Sequence, residues 1–341
     1  MVQRRPADLR RAGVDLTGAG RHFAIFNPAS GRGRGRRRIA TYRRLLEEAI
    51  PDITFAETTR AGEERDLAER AAAEGYDVVV AVGGDGTWSN VADRLVASGR
   101  SDVSLGLLPN GTGNDFGRNL GFRPDGAAEA VAVLARGERR LVDVGRLETP
   151  SAPEHHPDRY EARHFLNLVG FGFDIAVIDA AARARFLKGE LLYKVSALGQ
   201  LFRFPGADIV LRAADGRERD GRYLMLTISN GCYFGGGFPI APGASVDDGR
   251  LHACRILDAK PLQRLGLFNA AEKGRHVASD RVEVLDDRAF SVTFPSPPRF
   301  EMDGEVRVAA ERTLEVSVLP GALSVIAPGD PRPGAAAASA G

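Results

Sequence analysis

The segment 78–87, VVVAVGGDGT, joins an uninterrupted apolar run to a loop that contains three glycines and one aspartate. The run Val78–Val82 is typical of a central parallel strand that is covered on both faces. The glycines carry no Cβ atom, so their amides can turn inward and approach an anion closely. Residues Trp88–Ala97 have helical spacing, which places the positive N-terminus of a helix at the same point. We therefore predict a phosphate-binding strand–loop–helix junction; an ordinary junction of the same elements is the alternative.

Strands alternate with helices from residue 21 to about residue 140, and this pattern predicts a parallel α/β sheet. Beyond that point, many short strands separated by turn signals predict a β-sandwich. The length of 341 residues also favours two domains, since single cores stop growing at roughly 250–300 residues. We expect a flexible arm over residues 1–20, an α/β nucleotide-binding domain over 21–140, a β-sandwich domain over 141–319 and a disordered tail over 329–341.

The composition argues against several classes of protein. A formal net charge of +1 is too small for binding nucleic acid through overall charge. Cys232 and Cys254 are too few for a disulfide framework and lack zinc-ligand spacing, which favours a reducing cytoplasm. No stretch of about 20 residues is continuously apolar, and the arginine-rich N-terminus lacks the apolar core of a secretory signal. We expect a cytoplasmic protein without a membrane span.

Three glycine-rich segments each follow a predicted strand. They are Asn27–Gly31, Gly83–Thr87 and Pro109–Phe116. They differ from the Gly-x-Gly-x-x-Gly dinucleotide fingerprint, and the chain has no Gly-Lys-Ser/Thr of a Walker loop. In a parallel sheet, ligands bind beyond the carboxyl ends of the strands. The three segments are therefore expected to surround one polyphosphate.

These motifs resemble the diacylglycerol kinase catalytic domain family of soluble bacterial lipid kinases, to which sphingosine and ceramide kinases are related. The matching segments are NPxxG at 27–31, GGDGT at 83–87, GTGND at 111–115, NLVGFGFD at 167–174, residues 230–242 leading into DDG at 247–249, and DGE at 303–305. The resemblance spans roughly residues 21–327. It implies an N-terminal domain similar to NAD kinase and phosphofructokinase, and a C-terminal β-sandwich. It also implies that residues 320–328 complete the first domain, with Ala322–Ala327 as the return strand.

The resemblance further implies the roles of individual residues. Those implied to contact ATP are Asn27, Gly31, Thr59, Gly83, Gly84, Asp85, Gly86, Thr87 and Thr112. Glu305 is implied to accept the proton of the lipid hydroxyl. Asp248 is implied to bind a structural Mg²⁺ together with the backbone carbonyls of Ser245 and Arg250.

The chemistry of phosphoryl transfer agrees with these roles. Asp85 is the candidate for the catalytic Mg²⁺, which needs few protein carboxylates because phosphate and water complete its octahedron. An alcohol is a poor nucleophile at neutral pH, so a carboxylate such as Glu305 would help as general base across the cleft between the domains. The alternative for Asp303–Glu305 is a plain hairpin turn, because Asp-Gly is a strong hairpin signal.

Two positions depart from the family pattern. Asn90 stands where the family usually has a glutamate, three residues after the threonine of GGDGT. Asparagine keeps hydrogen-bonding capacity but loses the charge, which could alter rate or metal preference. Trp88 replaces a commoner aliphatic residue.

The leading hypothesis is an ATP- and Mg²⁺-dependent kinase that phosphorylates a hydroxyl of a neutral acyl lipid, most often diacylglycerol to give phosphatidic acid. Ceramide or sphingosine kinase is one alternative, and NAD kinase, which shares the GGDGT segment, is another. A catalytically inactive nucleotide or lipid sensor is the third.

A lipid substrate predicts a partner at a membrane surface. The run 32–38 contains five arginines, which could steer phosphate or contact anionic lipid; a solvated loop is the alternative. Leu187–Pro205 is apolar and lightly basic, and either lines a lipid entrance or packs on the sandwich. We expect peripheral association with the inner membrane face and no nucleic-acid partner, and the sequence leaves a homodimer open.

Overall fold

The structure is a computed structural model that describes residues 20–30, 35–111, 113–124, 126–148, 162–183 and 198–328. Nearly all of the predicted arm, the tail, Gly31, Thr112 and parts of the segments 32–38 and 187–205 lie outside these residues. The chain divides into two compact units, one formed by Met1–Val142 with Gly321–Gly341 and the other by Asp143–Pro320.

The first unit alternates strands with helices. Its strands are β1 (His22–Phe26), β2 (Thr54–Glu57), β3 (Val78–Gly83) and β4 (Ser104–Pro109), and its helices are α1 (Gly35–Ala49), α2 (Glu63–Ala73), α3 (Asp85–Ala97), α4 (Asp115–Asn119) and α5 (Ala127–Arg136).

These strands form a parallel sheet in the order β2-β1-β3-β4, and Ser324–Ile326 add a fifth parallel strand beside β4. Every residue of β3 is buried, which confirms the central strand predicted from its apolar run. The chain moves from β1 to β2 on one side and then to β3 on the other. Right-handed crossovers therefore place α1 and α2 on opposite faces of the sheet.

The second unit consists mainly of antiparallel strands. Its strands are β5 (Arg139–Glu148), which begins in the first unit, β6 (Arg163–Phe165), β7 (Leu168–Gly172), β8 (Ala207–Ala213), β9 (Glu218–Ser229), β10 (Tyr233–Phe234), β11 (Phe238–Pro239), β12 (Leu251–Leu257), β13 (Val282–Asp287), β14 (Ala289–Thr293), β15 (Arg299–Met302), β16 (Glu305–Val308) and β17 (Thr313–Ile326), which ends in the first unit. Its helices are α6 (Phe173–Arg183) and α7 (Pro261–Ala271), with a helical segment over residues 198–203 and a 3-10 turn over His276–Ala278.

The core of the second unit lies between its strands. Phe171 packs against Phe294 and Phe300 with ring centroids 5.1 and 6.2 Å apart. Burial of such a side chain contributes about 1.5–3 kcal/mol. Along β14, buried and half-buried residues alternate, as expected for a strand with one face in a core. The order β16-β15-β7-β9-β8-β14-β17 runs through this core, and β9 also pairs with β12.

A second apolar cluster covers the other side of β7, β9 and β12. It includes Leu224 and Cys254 from the strands and Leu201 and Leu267 from the helices. The two units together confirm the predicted fold class, an α/β unit and a β-sandwich unit. Among the helices that the structure describes, none has both the length and the apolar composition needed to cross a bilayer.

Candidate active site

The sheet of the first unit has a topological switch point between β1 and β3. β1 pairs with β2 along one edge and with β3 along the other, in parallel register. Loops that leave the carboxyl ends of two such strands diverge to opposite faces and open a crevice, where ligands bind in open α/β sheets. Residues 27–30 follow β1 at this point, and residues 84–87 follow β3; we call them the loops after β1 and β3, the second of which runs into the first turn of α3.

The loop after β1 is fastened to the loop after β3 by Asn27. Its side-chain amide donates to the Thr87 hydroxyl at 3.1 Å, and its Oδ1 accepts the Ala29 amide at 3.0 Å. Gly83 allows Thr87 to fold back in this way, because a Cβ at Gly83 would lie 2.4 Å from the Thr87 side chain. The two loops are thus held side by side.

The loop after β3 meets the loop after β4 through backbone contact. A Cβ added to Gly111 would lie 2.6 Å from the Gly84 Cα, so only glycine permits this approach. The backbone amide of Asn110 donates to the Gly83 carbonyl at 2.7 Å. Asn114 has a left-handed φ of 55°, a conformation that asparagine tolerates well, and it precedes α4.

The third pairing, between the loops after β1 and β4, is made by side chains. The side-chain amide of Asn110 donates to the Ser30 hydroxyl at 2.8 Å, and that hydroxyl donates to the backbone carbonyl of Asn27 at 2.7 Å. The three glycine-rich segments therefore converge within the first unit. Ser30 and Asn110 were not singled out as site residues, although both lie inside the predicted segments.

The helix after β3 begins earlier than predicted. α3 starts at Asp85 rather than Trp88, so Asp85, Gly86 and Thr87 form its first turn. The first intrahelical bond runs from the Trp88 amide to the Gly84 carbonyl at 3.0 Å. An acidic first residue favours this start because it faces the positive end of the helix dipole.

This arrangement places the N-terminus of α3 at the meeting point of the loops. The first amides of a helix have no intrahelical partner and so suit an anion. The Asp85 carboxylate is half-buried, and its Oδ1 accepts the Phe116 amide at 3.0 Å. Asp85 thus links the first turn of α3 to the first turn of α4, and its side chain stays partly exposed.

Thr59 is held by a neighbour that the sequence did not indicate. Its amide and hydroxyl both donate to Glu63 Oε2, at 2.5 and 2.8 Å. The bond from the Thr59 amide is the largest cause that holds the pKa of the Glu63 carboxyl below its usual range. The Thr59 hydroxyl therefore already has a carboxylate partner, and its contact with nucleotide stays a prediction.

The two departures from the family pattern have clear structural partners. Asn90 is buried and donates to Glu64 Oε1 at 2.9 Å, and Glu64 is itself only 4% exposed. Position 90 thus contacts a carboxylate from α2 instead of carrying one. Trp88 is fully buried, and its indole N–H donates to the Ala81 carbonyl at 3.1 Å. Trp88 therefore packs α3 onto the central strand.

In the second unit, Glu305 follows a two-residue hairpin. Met302 pairs with Glu305 in the β15–β16 register, and Asp303 and Gly304 have φ angles of 47° and 90°. These angles suit the type I′ turn that Asp-Gly favours. The Glu305 side chain is 45% exposed and forms an ion pair with Arg307. The local structure is the expected hairpin, and its catalytic role stays a prediction.

The Asp248 carboxylate accepts hydrogen bonds from its own loop. The amides of Ser245 and Arg250 donate to the Asp248 carboxylate at 3.2 and 2.8 Å, and His252 Nε2 lies 2.9 Å from it. These bonds hold the Asp248 carboxylate within its loop. The assignment of Asp248, Ser245 and Arg250 as ligands of a structural Mg²⁺ stays a prediction.

The donors near Asp85 fit Mg²⁺. Within the described ranges, no group of three or more His, Cys, Asp or Glu side chains is placed to hold a metal. A nucleotide-bound Mg²⁺ requires no such group, because phosphate and water supply most of its ligands. Asp85 and the Thr87 hydroxyl offer hard oxygen atoms at the N-terminus of α3.

Two protein families match most of the chain. The diacylglycerol kinase catalytic domain family matches residues 21–147, and the YegS C-terminal NAD kinase beta sandwich-like domain family matches residues 167–327. A diacylglycerol kinase of Mycobacterium tuberculosis is 30% identical over 310 residues, which cover 91% of this chain and 96% of that protein. One from Bacillus subtilis is 24% identical over 282 residues, which cover 82% and 88%.

A solved structure supports the fold. The crystal structure of a diacylglycerol kinase from Bacillus anthracis matches with a TM-score of 0.71 at 22% identity, and the match covers 91% of this chain and 97% of that chain. The glycine-rich loops that converge in the first unit all lie within the part matched by the catalytic-domain family. With 30% identity to the Mycobacterium tuberculosis relative over nearly its full length, this chain belongs to the diacylglycerol kinase family of lipid kinases.

Proposed function

We propose that the protein transfers the γ-phosphate of ATP to a hydroxyl of a neutral acyl lipid, with diacylglycerol as substrate and phosphatidic acid as product. The observation that carries this proposal is the convergence of three glycine-rich loops on the N-terminus of α3. Backbone amides at closely approaching glycines, together with a helix N-terminus, form a cradle for phosphate. The relatives from Mycobacterium tuberculosis and Bacillus subtilis are both named diacylglycerol kinases, which supports the choice of acceptor.

The loops of the first unit would hold the polyphosphate. Asn27, Gly84 and Gly111 fix the relative position of the three loops, and the α3 amides would face the phosphate oxygens. Asp85 and the Thr87 hydroxyl would hold Mg²⁺ when it is bound with ATP. The ion would neutralise charge that develops on the phosphate oxygens.

Glu305 would act as the general base. A group that receives a proton from a substrate must be accessible, and the Glu305 side chain is partly exposed at the end of a two-residue hairpin. Removal of the proton by a positioned carboxylate contributes typically about 10²–10⁴-fold to rate. Asp248 would have a structural role in its loop.

The acceptor lipid would be reached at a membrane surface, through peripheral association of this protein with the inner face. We call Leu198, Phe202 and Leu262 the apolar helix surface; their exposed fractions are 46%, 53% and 78%. Leu198 and Phe202 are four residues apart in one helical segment and so share a face. Arg264 joins that segment to α7, donating to the Leu201 carbonyl at 2.9 Å. The exposed residues Arg203 and Lys260 add positive charge beside it, which favours anionic lipid.

The experiment that tests the proposal is a panel of acceptors offered with Mg-ATP. The panel contains dioctanoylglycerol, ceramide, sphingosine and NAD, and products are identified by mass. We expect dioctanoylglycerol to gain one phosphoryl group at the highest kcat/KM. Preferential phosphorylation of NAD, ceramide or sphingosine, or ATP turnover at background with every acceptor, would contradict the proposal.

A further inference from the structure

The hairpin that precedes Glu305 is anchored by a buried carboxylate. Asp303 is 6% exposed, and its two oxygens accept the backbone amides of residues 166–168 at 2.7, 2.8 and 3.0 Å. The Asp303 amide also donates to the Leu168 carbonyl at 3.2 Å. Amide bonds to a carboxylate are charge-assisted and stronger than neutral ones. The turn is therefore fixed to the bend that leads into β7.

A second buried carboxylate holds the same turn from inside the hairpin. Glu301 is fully buried, and its Oε2 accepts the Gly304 amide at 2.7 Å. This bond holds the central peptide of the turn, between Asp303 and Gly304, one residue before Glu305. β15 also pairs with β7, with Glu301 opposite Gly170. The strand before the turn is thus paired with β7, and Gly304 in the turn is bonded back to that strand.

A two-residue hairpin does not require this support. The sequence Asp-Gly alone favours the positive φ angles found at Asp303 and Gly304. Burial of a carboxylate is costly unless it is fully hydrogen-bonded. One buried carboxylate bonds the turn to residues 166–168 and another bonds it to β15, which indicates that the position of the turn matters beyond its formation. The side chain whose position depends on it is Glu305.

We propose that Glu301 and Asp303 are positioning residues that fix the Glu305 carboxylate for proton transfer. The inference rests on the proposed function, in which Glu305 takes the proton of the lipid hydroxyl. In that step the hydroxyl oxygen forms a bond to the γ-phosphorus, the bond from that phosphorus to the β–γ bridging oxygen breaks, and ADP leaves. A displacement of about 1 Å in such a group can cost about 100-fold in rate.

Two substitutions separate positioning from simple folding. Asp303→Asn keeps a residue that tolerates positive φ but replaces one acceptor oxygen by a donor, so it disrupts the bonds to residues 166–168. Glu301→Gln keeps an oxygen for the Gly304 amide, whereas Glu301→Leu removes it. Asp179→Asn is the matched control, because it removes the charge from the ion pair that Asp179 of α6 makes with Arg299 of β15.

Steady-state kinetics with Mg-ATP and dioctanoylglycerol, together with thermal unfolding, test the proposal. We expect Asp303→Asn and Glu301→Leu to lower kcat about 10–100-fold while KM for ATP stays within about twofold. Glu301→Gln should stay within about threefold of wild type, and Asp179→Asn should be unchanged.

Wild-type kcat in Asp303→Asn, or equal losses in Glu301→Gln and Glu301→Leu, would overturn the proposal. If Glu301→Leu does not fold, Asp303→Asn and Glu301→Gln decide the outcome. A wild-type protein that leaves dioctanoylglycerol unmodified would instead contradict the proposed function, and with it the role of Glu305. An active wild type with an inactive Glu305→Gln and a fully active Asp303→Asn would contradict the positioning role alone.

Discussion

The side-chain amide of Asn27 donates to the Thr87 hydroxyl at 3.1 Å, across 60 residues of sequence. This bond fastens the loop after β1 to the first turn of α3. It lies at the switch point of the sheet, where a ligand is expected. The hydroxyl that it orients is also one of the two protein oxygens proposed to face Mg²⁺.

We therefore expect Asn27→Ala to weaken ATP binding more than it weakens the fold. Loss of this hydrogen bond and of the bond to the Ala29 amide should cost about 1–2 kcal/mol of stability. The KM for ATP should rise about tenfold, because the two loops can then separate. Steady-state kinetics checks this, with Asn269→Ala on the exposed face of α7 as control. Equal KM values in the two variants would contradict the role given to Asn27.

A methyl group at Gly111 should separate the second and third loops. The Cβ of Gly111→Ala would meet the Gly84 Cα at 2.6 Å, and neither backbone can move aside freely. We expect a loss of about 1–3 kcal/mol of stability and loss of ATP-dependent thermal stabilisation. Gly266→Ala is the control: nothing lies within 4 Å of its added Cβ, and it should stabilise α7 by about 0.5–1 kcal/mol. Full stabilisation by ATP in Gly111→Ala would show that the loops do not act together.

Asp174 should make stability depend on pH. Burial raises the pKa of its carboxyl to about 7, whereas the pKa of an aspartate in an unfolded chain is about 4. The contribution of the protonated carboxyl is present below pH 4 and is lost as pH rises through 7. The free energy of unfolding should therefore fall from pH 5 to pH 7 relative to Asp174→Asn, by at most about 1.4 kcal/mol per pH unit.

Urea unfolding at pH 5 and pH 8 measures this difference. Asp102→Asn serves as control, because hydrogen bonds from the Arg100 side chain lower the pKa of Asp102 to about 2 and its carboxyl stays ionised at both pH values. A difference between wild type and Asp174→Asn that is the same at pH 5 and pH 8 would rule out a protonated carboxyl.

The apolar helix surface should govern access to lipid in vesicles. Replacing Phe202 or Leu262 by aspartate should reduce co-sedimentation with anionic vesicles about tenfold, since it places a negative charge among exposed apolar side chains. Turnover of dioctanoylglycerol in solution should be unchanged. Leu141→Asp is the control, because Leu141 is 62% exposed but lies in the first unit. Equal vesicle binding by all three variants would place the membrane contact elsewhere.

The sequence was sufficient for the fold class and for the three glycine-rich segments that converge in the first unit. The apolar run of β3 and the glycines that follow it determine local structure within a few residues. Such features can therefore be recognised without knowledge of tertiary contacts. The start of α3 was misplaced by three residues because Asp85-Gly86-Thr87 resembles a loop, whereas the dipole and Gly84 make it a helical turn.

Partners distant in sequence could not be predicted in this way. Asp303 accepts amides more than 130 residues away, and Asn90 contacts Glu64 across two helices. No spacing rule links such positions, because they meet only when strands and helices pack. The Thr59–Glu63 contact is local, but Gly62 is the N-cap of α2 and the four-residue spacing does not match a capping box.

The most direct test of the account is transfer of the γ-phosphate of ATP to dioctanoylglycerol, measured by product mass for wild type, Asp85→Asn and Glu305→Gln, with Glu315→Gln as a control on the exposed face of β17. We predict that wild type and Glu315→Gln form the phosphorylated lipid, and that the other two remain folded but lose at least about 100-fold in kcat. A wild-type protein that forms no phosphorylated lipid, or Asp85→Asn and Glu305→Gln with wild-type turnover, would contradict it.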